Sequence, residues 1–304
     1  MKTTLIAPAY NEEEALPKTI DEYIEFVDEI VIVNDGSRDG TDRIAREYEK
    51  KYPKIKYIKH EQNQGKPAAL RTGVKNATGD IIVFTDSDCT YPARYIPSFV
   101  RAIENGSDMV LGARIFNSSN IRALNRFGNR VFSMLITYFC YTGIRDAQTG
   151  FRAMRKSIFN ELDVDARNLE YETKMTMRAA KLGYTVIEIP IEYRKRVGMS
   201  KLHPFRDGYH MLNSIPTIIW EESTPLLRSV ILINLVLFSI GILFGLYSLY
   251  ERISFGVLSH EFYPLLSVVF ILVAIQLMSF TLIMEYIINK LNKIEDMFKK
   301  TKYV

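Results

Sequence analysis

Two aspartates one residue apart, Asp86 and Asp88 in FTDSDCTYP, stand directly behind the apolar run DIIVF. Where a strand gives way to a turn, side chains at i and i+2 can converge, and two carboxylates brought together suit a hard divalent cation such as Mg2+ or Mn2+. Asp-Ser-Asp is equally an ordinary polar turn closing a strand. Other polar clusters share the ambiguity. APAYNEEE (7–14) reads alone as a strand end, an Asn turn and acids suited to a helix N-terminus. VNDGSRDGT (33–41) reads as strand, turn and helix start, so Asp35 by itself says little.

The elements that must position these residues are legible as a pattern. Short β-branched runs, TTLIA, EIVIV, KIKYI, DIIVF and DMVLG, alternate over the first half with stretches of helical charge and spacing. That alternation predicts an α/β fold built on a mostly parallel sheet. Ligands of such sheets bind beyond the C-terminal ends of the strands. PAYNEE, NDGSRDGT and TDSDCT follow the first, second and fourth runs.

The order of the clusters is more specific than any one of them. PAYNEE, NDGS, NQGKPAALRTG and DSD, in that succession, resemble the family 2 glycosyltransferases, and the resemblance covers about Thr3 to Lys201. It implies a GT-A (Rossmann-like) domain that binds a nucleotide sugar. By the same resemblance Pro8, Ala9, Tyr10 and Glu12 line the base and ribose pocket, Asp35 hydrogen-bonds the base and Lys66 lies near the nucleotide. Asp88 would bind the metal directly, with Asp86 helping through the ribose or a water. A nucleoside diphosphate leaving group needs such cationic charge. A common form of the motif has Gln two positions after the second Asp, where this chain has Thr90.

DAQTGFRAMR (146–155) and YRKRVGMSKL (193–202) narrow the resemblance to the polyprenyl-phosphate (dolichyl-phosphate) sugar synthases. Its implied acceptor-phosphate site comprises Arg114, Gln148, Thr149, Gly150, Arg196, Ser200 and Lys201, with Asp88, Arg114 and Lys201 the catalytic group. Gly150 and Gly198 allow close backbone approach, and the arginines and lysine would neutralise phosphate. RKR also reads as a solvated basic loop. A phosphate monoester, with a second pKa near ~6, is already an anion and needs no general base. Glu170 and Glu172 in NLEYETKM read either as contacts to sugar hydroxyls or as helix N-terminal acids.

Composition looks soluble, 47% hydrophobic and 24% charged, but the apolar residues of the 304 gather near the C-terminus. Residues 225–250 and 262–289 each carry a long apolar run. About 22 such residues cover roughly 33 Å as helix, enough for a hydrocarbon layer of about 30 Å. The loop between them has no cationic excess, whereas the tail is lysine-rich and Arg228 precedes the first run, which places both ends on the cytoplasmic side. The division predicted is a catalytic domain over 1–203, an interfacial helical region over 204–224 and a transmembrane hairpin with basic tail over 225–304. Arg122, Arg126 and Arg130, four residues apart, make a second interfacial candidate or a solvated stripe. Cys89 and Cys140 do not suggest a disulfide framework. The formal charge of +4 is too mild to imply nucleic acid, and a homo-oligomer is compatible with the sequence.

The expectation is therefore an integral-membrane, inverting transferase. It moves one hexose from a nucleotide diphosphate sugar, UDP-glucose or UDP-N-acetylglucosamine before GDP-mannose, to polyprenyl phosphate. Two rivals stand beside it: a polysaccharide or other hydroxyl-acceptor transferase, and a non-catalytic membrane scaffold. The only tryptophan, Trp220, lacks the Gln-x-x-Arg-Trp context of processive enzymes.

Overall fold

The computed structural model describes residues 1–116, 143–164, 170–199 and 223–301, with positions 126, 129–131, 133–134, 137, 213, 216–218 and 220–221 between them. Ser200, Lys201, Arg122, Cys140 and most of the expected interfacial region lie outside the described residues. The chain separates into two compact units, Met1–Ser214 and Ile215–Val304.

The first unit is built on seven strands: β1 Thr3–Ala9, β2 Glu29–Asn34, β3 Ile55–Lys59, β4 Ile81–Phe84, β5 Met109–Phe116, β6 Arg152–Arg155 and β7 Val186–Glu192. They lie in the order β3-β2-β1-β4-β6-β5-β7. Every neighbouring pair is parallel except those involving β6, which runs antiparallel to both β4 and β5. This is the mostly parallel α/β sheet that the alternating runs predict. β2 and β4 are buried along their whole length. Such continuous burial is what a parallel sheet covered on both faces requires.

The covering helices are α1 Leu16–Tyr23, α2 Thr41–Lys51, α3 Lys66–Asn76, α4 Ile96–Glu104, α5 Lys156–Leu162 and α6 Glu170–Lys181. In α1 the buried set Leu16, Thr19, Ile20 and Tyr23 recurs at one-face spacing. α3 lies so close to β1 that a Cβ at Gly73 would stand 2.4 Å from Ile6 Cγ2. That contact fixes where α3 begins, and Lys66 is its first residue.

Because β6 is reversed, β5 leaves the sheet and β6 re-enters it at the same edge, the edge where β1, β2 and β4 end. The described residues 143–151 lead back into that edge.

The second unit contains α7 Pro225–Phe255 and α8 Phe262–Thr301. The Thr224 hydroxyl caps α7 by accepting from Leu227 N at 3.2 Å, and Gly256 ends it at φ +71°. Two stretches, Pro225–Phe255 and Phe262–Ile288, each reach a mean hydropathy of 2.5 and are long and apolar enough to cross a membrane. Their outward side chains, Leu235, Leu243, Leu265 and Ile275 among them, are more than half exposed. The helices pack through small residues: a Cβ at Gly241 would lie 2.8 Å from Ile271 Cγ1, and one at Gly245 2.9 Å from Ser267 Oγ.

Candidate active site

The C-terminal edge of the parallel strands gathers the chain that follows β1, β2 and β4 with the chain that precedes β6. Ser87 Oγ donates to Pro8 O at 2.8 Å, and Asp35 N donates to Ala9 O at 2.9 Å. These two bonds stitch the β1, β2 and β4 ends together. Pro8, Ala9 and Tyr10 thus form one wall, Ala9 buried and Pro8 and Tyr10 half-buried.

Asp86 and Asp88 are held differently although only Ser87 separates them. Asp86 Oδ1 lies 2.6 Å from Lys66 Nζ, and the same ammonium lies 2.9 Å from Glu172 Oε1 in the first turn of α6. Asp88 Oδ2 lies 2.9 Å from Arg196 Nη1, whose Nη2 pairs with Glu12. Asp88 Oδ1 accepts from Thr90 N at 3.1 Å and from Thr90 Oγ1 at 2.6 Å. Thr90, where relatives of the motif carry Gln, orients Asp88 within the turn. Cys89 between them takes φ +64°, so the turn sits in the left-handed region at a residue that is not glycine.

The electrostatics separate the two aspartates. Burial alone would raise Asp86, but the Lys66 charge beside it wins and holds its pKa below the usual carboxylate value. Burial and the neighbouring Asp86 charge push Asp88 up. Burial would lower Lys66, yet Asp86 and Glu172 hold its ammonium well above the ordinary lysine value.

Gly150 completes this side. A Cβ there would stand 2.8 Å from Asp86 Oδ2 and 2.9 Å from Lys66 Nζ, so any larger residue would have to displace that ion pair. Its N donates to the Tyr91 hydroxyl at 3.0 Å. Gln148 N donates to Asn129 Oδ1 at 3.2 Å, and the buried Thr149 offers its carbonyl to Arg152 Nη2 at 2.6 Å. Arg152 is 1% exposed and reaches Glu172 O at 3.1 Å, pinning the QTG turn to the start of α6. Burial lowers its pKa.

Arg114 is clamped by Asp146 through three bonds: Nε to Oδ2 and Nη2 to Oδ1, both at 2.7 Å, and backbone N to Oδ2 at 2.9 Å. Its guanidinium also lies 5.4 Å from the Tyr193 ring centroid. Burial would raise Asp146, but Arg114 outweighs it and depresses its pKa.

Asp35 is tied inward. Its carboxylate accepts from Gln64 N at 2.9 Å and Gly65 N at 2.8 Å and meets His60 Nδ1 at 2.7 Å. His60 Nε2 lies 2.9 Å from Thr72 Oγ1 on α3. Asp35 therefore fixes the loop that delivers Lys66, and any base bound here shares the carboxylate with these partners.

The structure thus brings Glu12, Lys66, Asp86, Asp88, Gly150 and Arg196 into one cluster, with Arg114 near it and Asp35 at its rim. Sequence reasoning left Tyr91, Thr90, His60, Asp146 and Arg152 without roles. Asp146 and Arg152 lie inside the motif DAQTGFR and had a signal; Tyr91 and His60 had none.

A divalent cation fits this cluster. Four carboxylates, Glu12, Asp86, Asp88 and Glu172, share two cations, Lys66 and Arg196. The excess negative charge lies on hard oxygen donors. Among the described residues no three or more His, Cys, Asp or Glu group as a metal site. Mg2+ or Mn2+ commonly takes one or two protein carboxylates and fills its remaining positions with substrate phosphates and water.

A model of the family described as glycosyl transferase family 2 matches residues 4–163. Similar proteins include the dolichyl-phosphate hexose transferase of Haloferax volcanii, 32% identical over 222 residues, with 72% of this chain and 94% of that one covered. The prophage bactoprenol glucosyl transferase homolog of Escherichia coli is 30% identical over 294 residues, covering 94% of each. Among solved structures, glucosyl-3-phosphoglycerate synthase from Mycobacterium tuberculosis, in complex with Mn2+, UDP and phosphoglyceric acid, shares the fold. It superposes with a TM-score of 0.57 at 19% identity, over 73% of this chain and 78% of that one.

Proposed function

The chain belongs to glycosyl transferase family 2 and is a glycosyltransferase; we propose that it transfers a single hexose from a nucleotide diphosphate sugar to a polyprenyl phosphate at the cytoplasmic face of a membrane. The observation that carries this reading is the pair of ion clasps, Asp86–Lys66–Glu172 and Glu12–Arg196–Asp88, at the C-terminal edge of the sheet. The named activities of the Haloferax volcanii and Escherichia coli relatives support the acceptor class, and the second alignment runs through both apolar helices.

Two anions must meet for the reaction to occur, the donor pyrophosphate and the acceptor phosphate. In this reading the wall of Pro8, Ala9 and Tyr10, with Asp35 behind it, receives the nucleoside. Asp86 and Asp88 would hold Mg2+ or Mn2+, which supplies Lewis-acid neutralisation of the leaving diphosphate. Lys66 and Arg196 add positive charge on either side. Arg114, immobilised by Asp146, and the Gln148–Gly150 turn, immobilised by Arg152 and Tyr91, face the acceptor phosphate, with Ser200 and Lys201 as further ligands. A phosphate oxygen forms the new bond to the anomeric carbon as the carbon–oxygen bond to the nucleoside diphosphate breaks on the opposite side, inverting the centre. No proton needs to be removed, because the attacking phosphate is already ionised. Glu172 is engaged by Lys66 at 2.9 Å, which suits a positioning group better than a free base for a hydroxyl acceptor.

In this reading α7 and α8 form the membrane hairpin, and their apolar outer faces meet lipid. UDP-glucose, UDP-N-acetylglucosamine and GDP-mannose, each assayed with one polyprenyl phosphate and Mg2+ or Mn2+, test the proposal. One lipid-linked monosaccharide from one of these donors is expected. A ladder of products, or transfer to a sugar hydroxyl in preference to the lipid phosphate, overturns it.

A further inference from the structure

A cavity of about 440 Å³ opens between α3, α5 and α6; Tyr171 in its wall adjoins Glu172 of the cluster just described, while Lys156 places its other side at the opposite end of β4 from Asp86. Its cations come from separate elements: Arg71 and Lys75 from α3, and Lys156 from the first position of α5. Asp163 is the only carboxylate among the described lining residues. Phe159, Tyr171 and Met175 supply an apolar wall.

Topology separates the Lys156 side of this place from the C-terminal edge of the parallel strands. Arg155 pairs with Ile81 at the start of β4, and Lys156 N donates to Asp80 O at 2.8 Å. Asp86 follows the other end of β4. Four residues of strand put about 13 Å between the two levels, too far for one pyrophosphate to span.

Two of the cations have partners that leave their charge unneutralised. Lys156 Nζ donates to Ala77 O at 2.7 Å, a carbonyl and not a carboxylate. Arg71 lies 6.0 Å from the Tyr171 ring centroid. Lys75 makes no ion pair among the described residues. Among the described lining residues three positive side chains stand against a single acid, a balance that raises the local potential and favours an anion. The volume lies in the range of small-ligand sites.

We propose that this cavity is a second anion site that binds the phosphoryl group of a small molecule, with Arg71, Lys75 and Lys156 as its ligands and the Phe159–Tyr171–Met175 wall against the body of that molecule. The proposal rests on the cavity and not on the transferase reading.

Inorganic phosphate, titrated by calorimetry in EDTA into the full-length chain in phosphatidylcholine nanodiscs, provides the test. Saturable binding is expected, weakened at least about tenfold by Lys75→Glu and by Arg71→Glu and retained in Asp88→Asn. Lys75 is exposed and bonds to nothing described, so its variant leaves the fold intact. Displacement of phosphate by glucose 1-phosphate marks a soluble ligand, and displacement by short-chain phosphatidic acid marks a lipid headgroup; both support the site. Absence of saturable binding up to about 10 mM, or binding lost in Asp88→Asn but kept in Lys75→Glu, overturns it.

Discussion

Replacing Lys66 by methionine keeps most of the apolar stem and removes the charge shared by two carboxylates. Its Nζ stands 2.6 Å from Asp86 Oδ1 and 2.9 Å from Glu172 Oε1. At an effective dielectric near 20, each contact carries about 6 kcal/mol of Coulomb attraction before desolvation is counted. Removing one member of a fully buried pair costs about 3–5 kcal/mol. The Lys66 side chain is 35% exposed, and solvent screening brings the expected loss to about 2 kcal/mol. The melting temperature should then fall by about 4–8 °C. The same charge faces the proposed diphosphate position, so affinity for UDP with Mg2+ should weaken about 30-fold. Scanning calorimetry and a UDP titration read the two effects separately. Adding Glu172→Gln to Lys66→Met should recover part of the stability, because one of the two abandoned carboxylates is then neutral. The reasoning is refuted if Lys66→Met melts with the wild type and binds UDP within about threefold of it.

Asp146→Asn tests the clamp on Arg114. Because the folded pKa of Asp146 is depressed, its stabilisation is present above the unfolded value near ~3.9 and is lost as pH falls through the folded one. Denaturant unfolding should therefore show the variant about 3 kcal/mol less stable at pH 7, with the gap narrowing in acid. Asp88→Asn should lower Mg2+-dependent UDP affinity by more than about tenfold, and EDTA should do the same to the wild type, both read by titration. Gly241→Leu should part α7 from α8, since a Cβ alone already meets Ile271 at 2.8 Å. Faster proteolysis of the 256–261 loop in nanodiscs, with UDP binding unchanged, is the expected result.

Five strands of the sheet were legible because their apolar residues run together, as in IIVF of β4. β6 was not, because its four residues RAMR include an arginine buried to 1%. A buried arginine reads as polar until the carbonyls that receive it are seen. β7 carries Pro190 and two glutamates, which weaken its pattern in the same way. Within the site, residue type and spacing marked Asp86 and Asp88, whereas Lys66 and Gly150 were marked by the resemblance of the motifs that carry them. The pairing scheme was not visible. That Lys66 takes Asp86 and Glu172 while Arg196 takes Asp88 and Glu12 depends on contacts separated by as many as 184 positions in the chain. The inward ties of Asp35 to His60, Gln64 and Gly65 were hidden for the same reason.

The reversed strand β6 has a consequence for how such a protein can change. Since β5 departs and β6 returns at one border, the connection between them can change in length without shifting the register of any strand, provided the Asp146–Phe151 stretch that meets Arg114, Asp86 and Lys66 is kept. The chain that follows β1, β2 and β4 has less freedom, because Ser87 is bonded to Pro8 and Asp35 to Ala9. Under the proposed function, such a scaffold can take new acceptors by rewriting the part of that connection ahead of Asp146 while the donor side stays fixed.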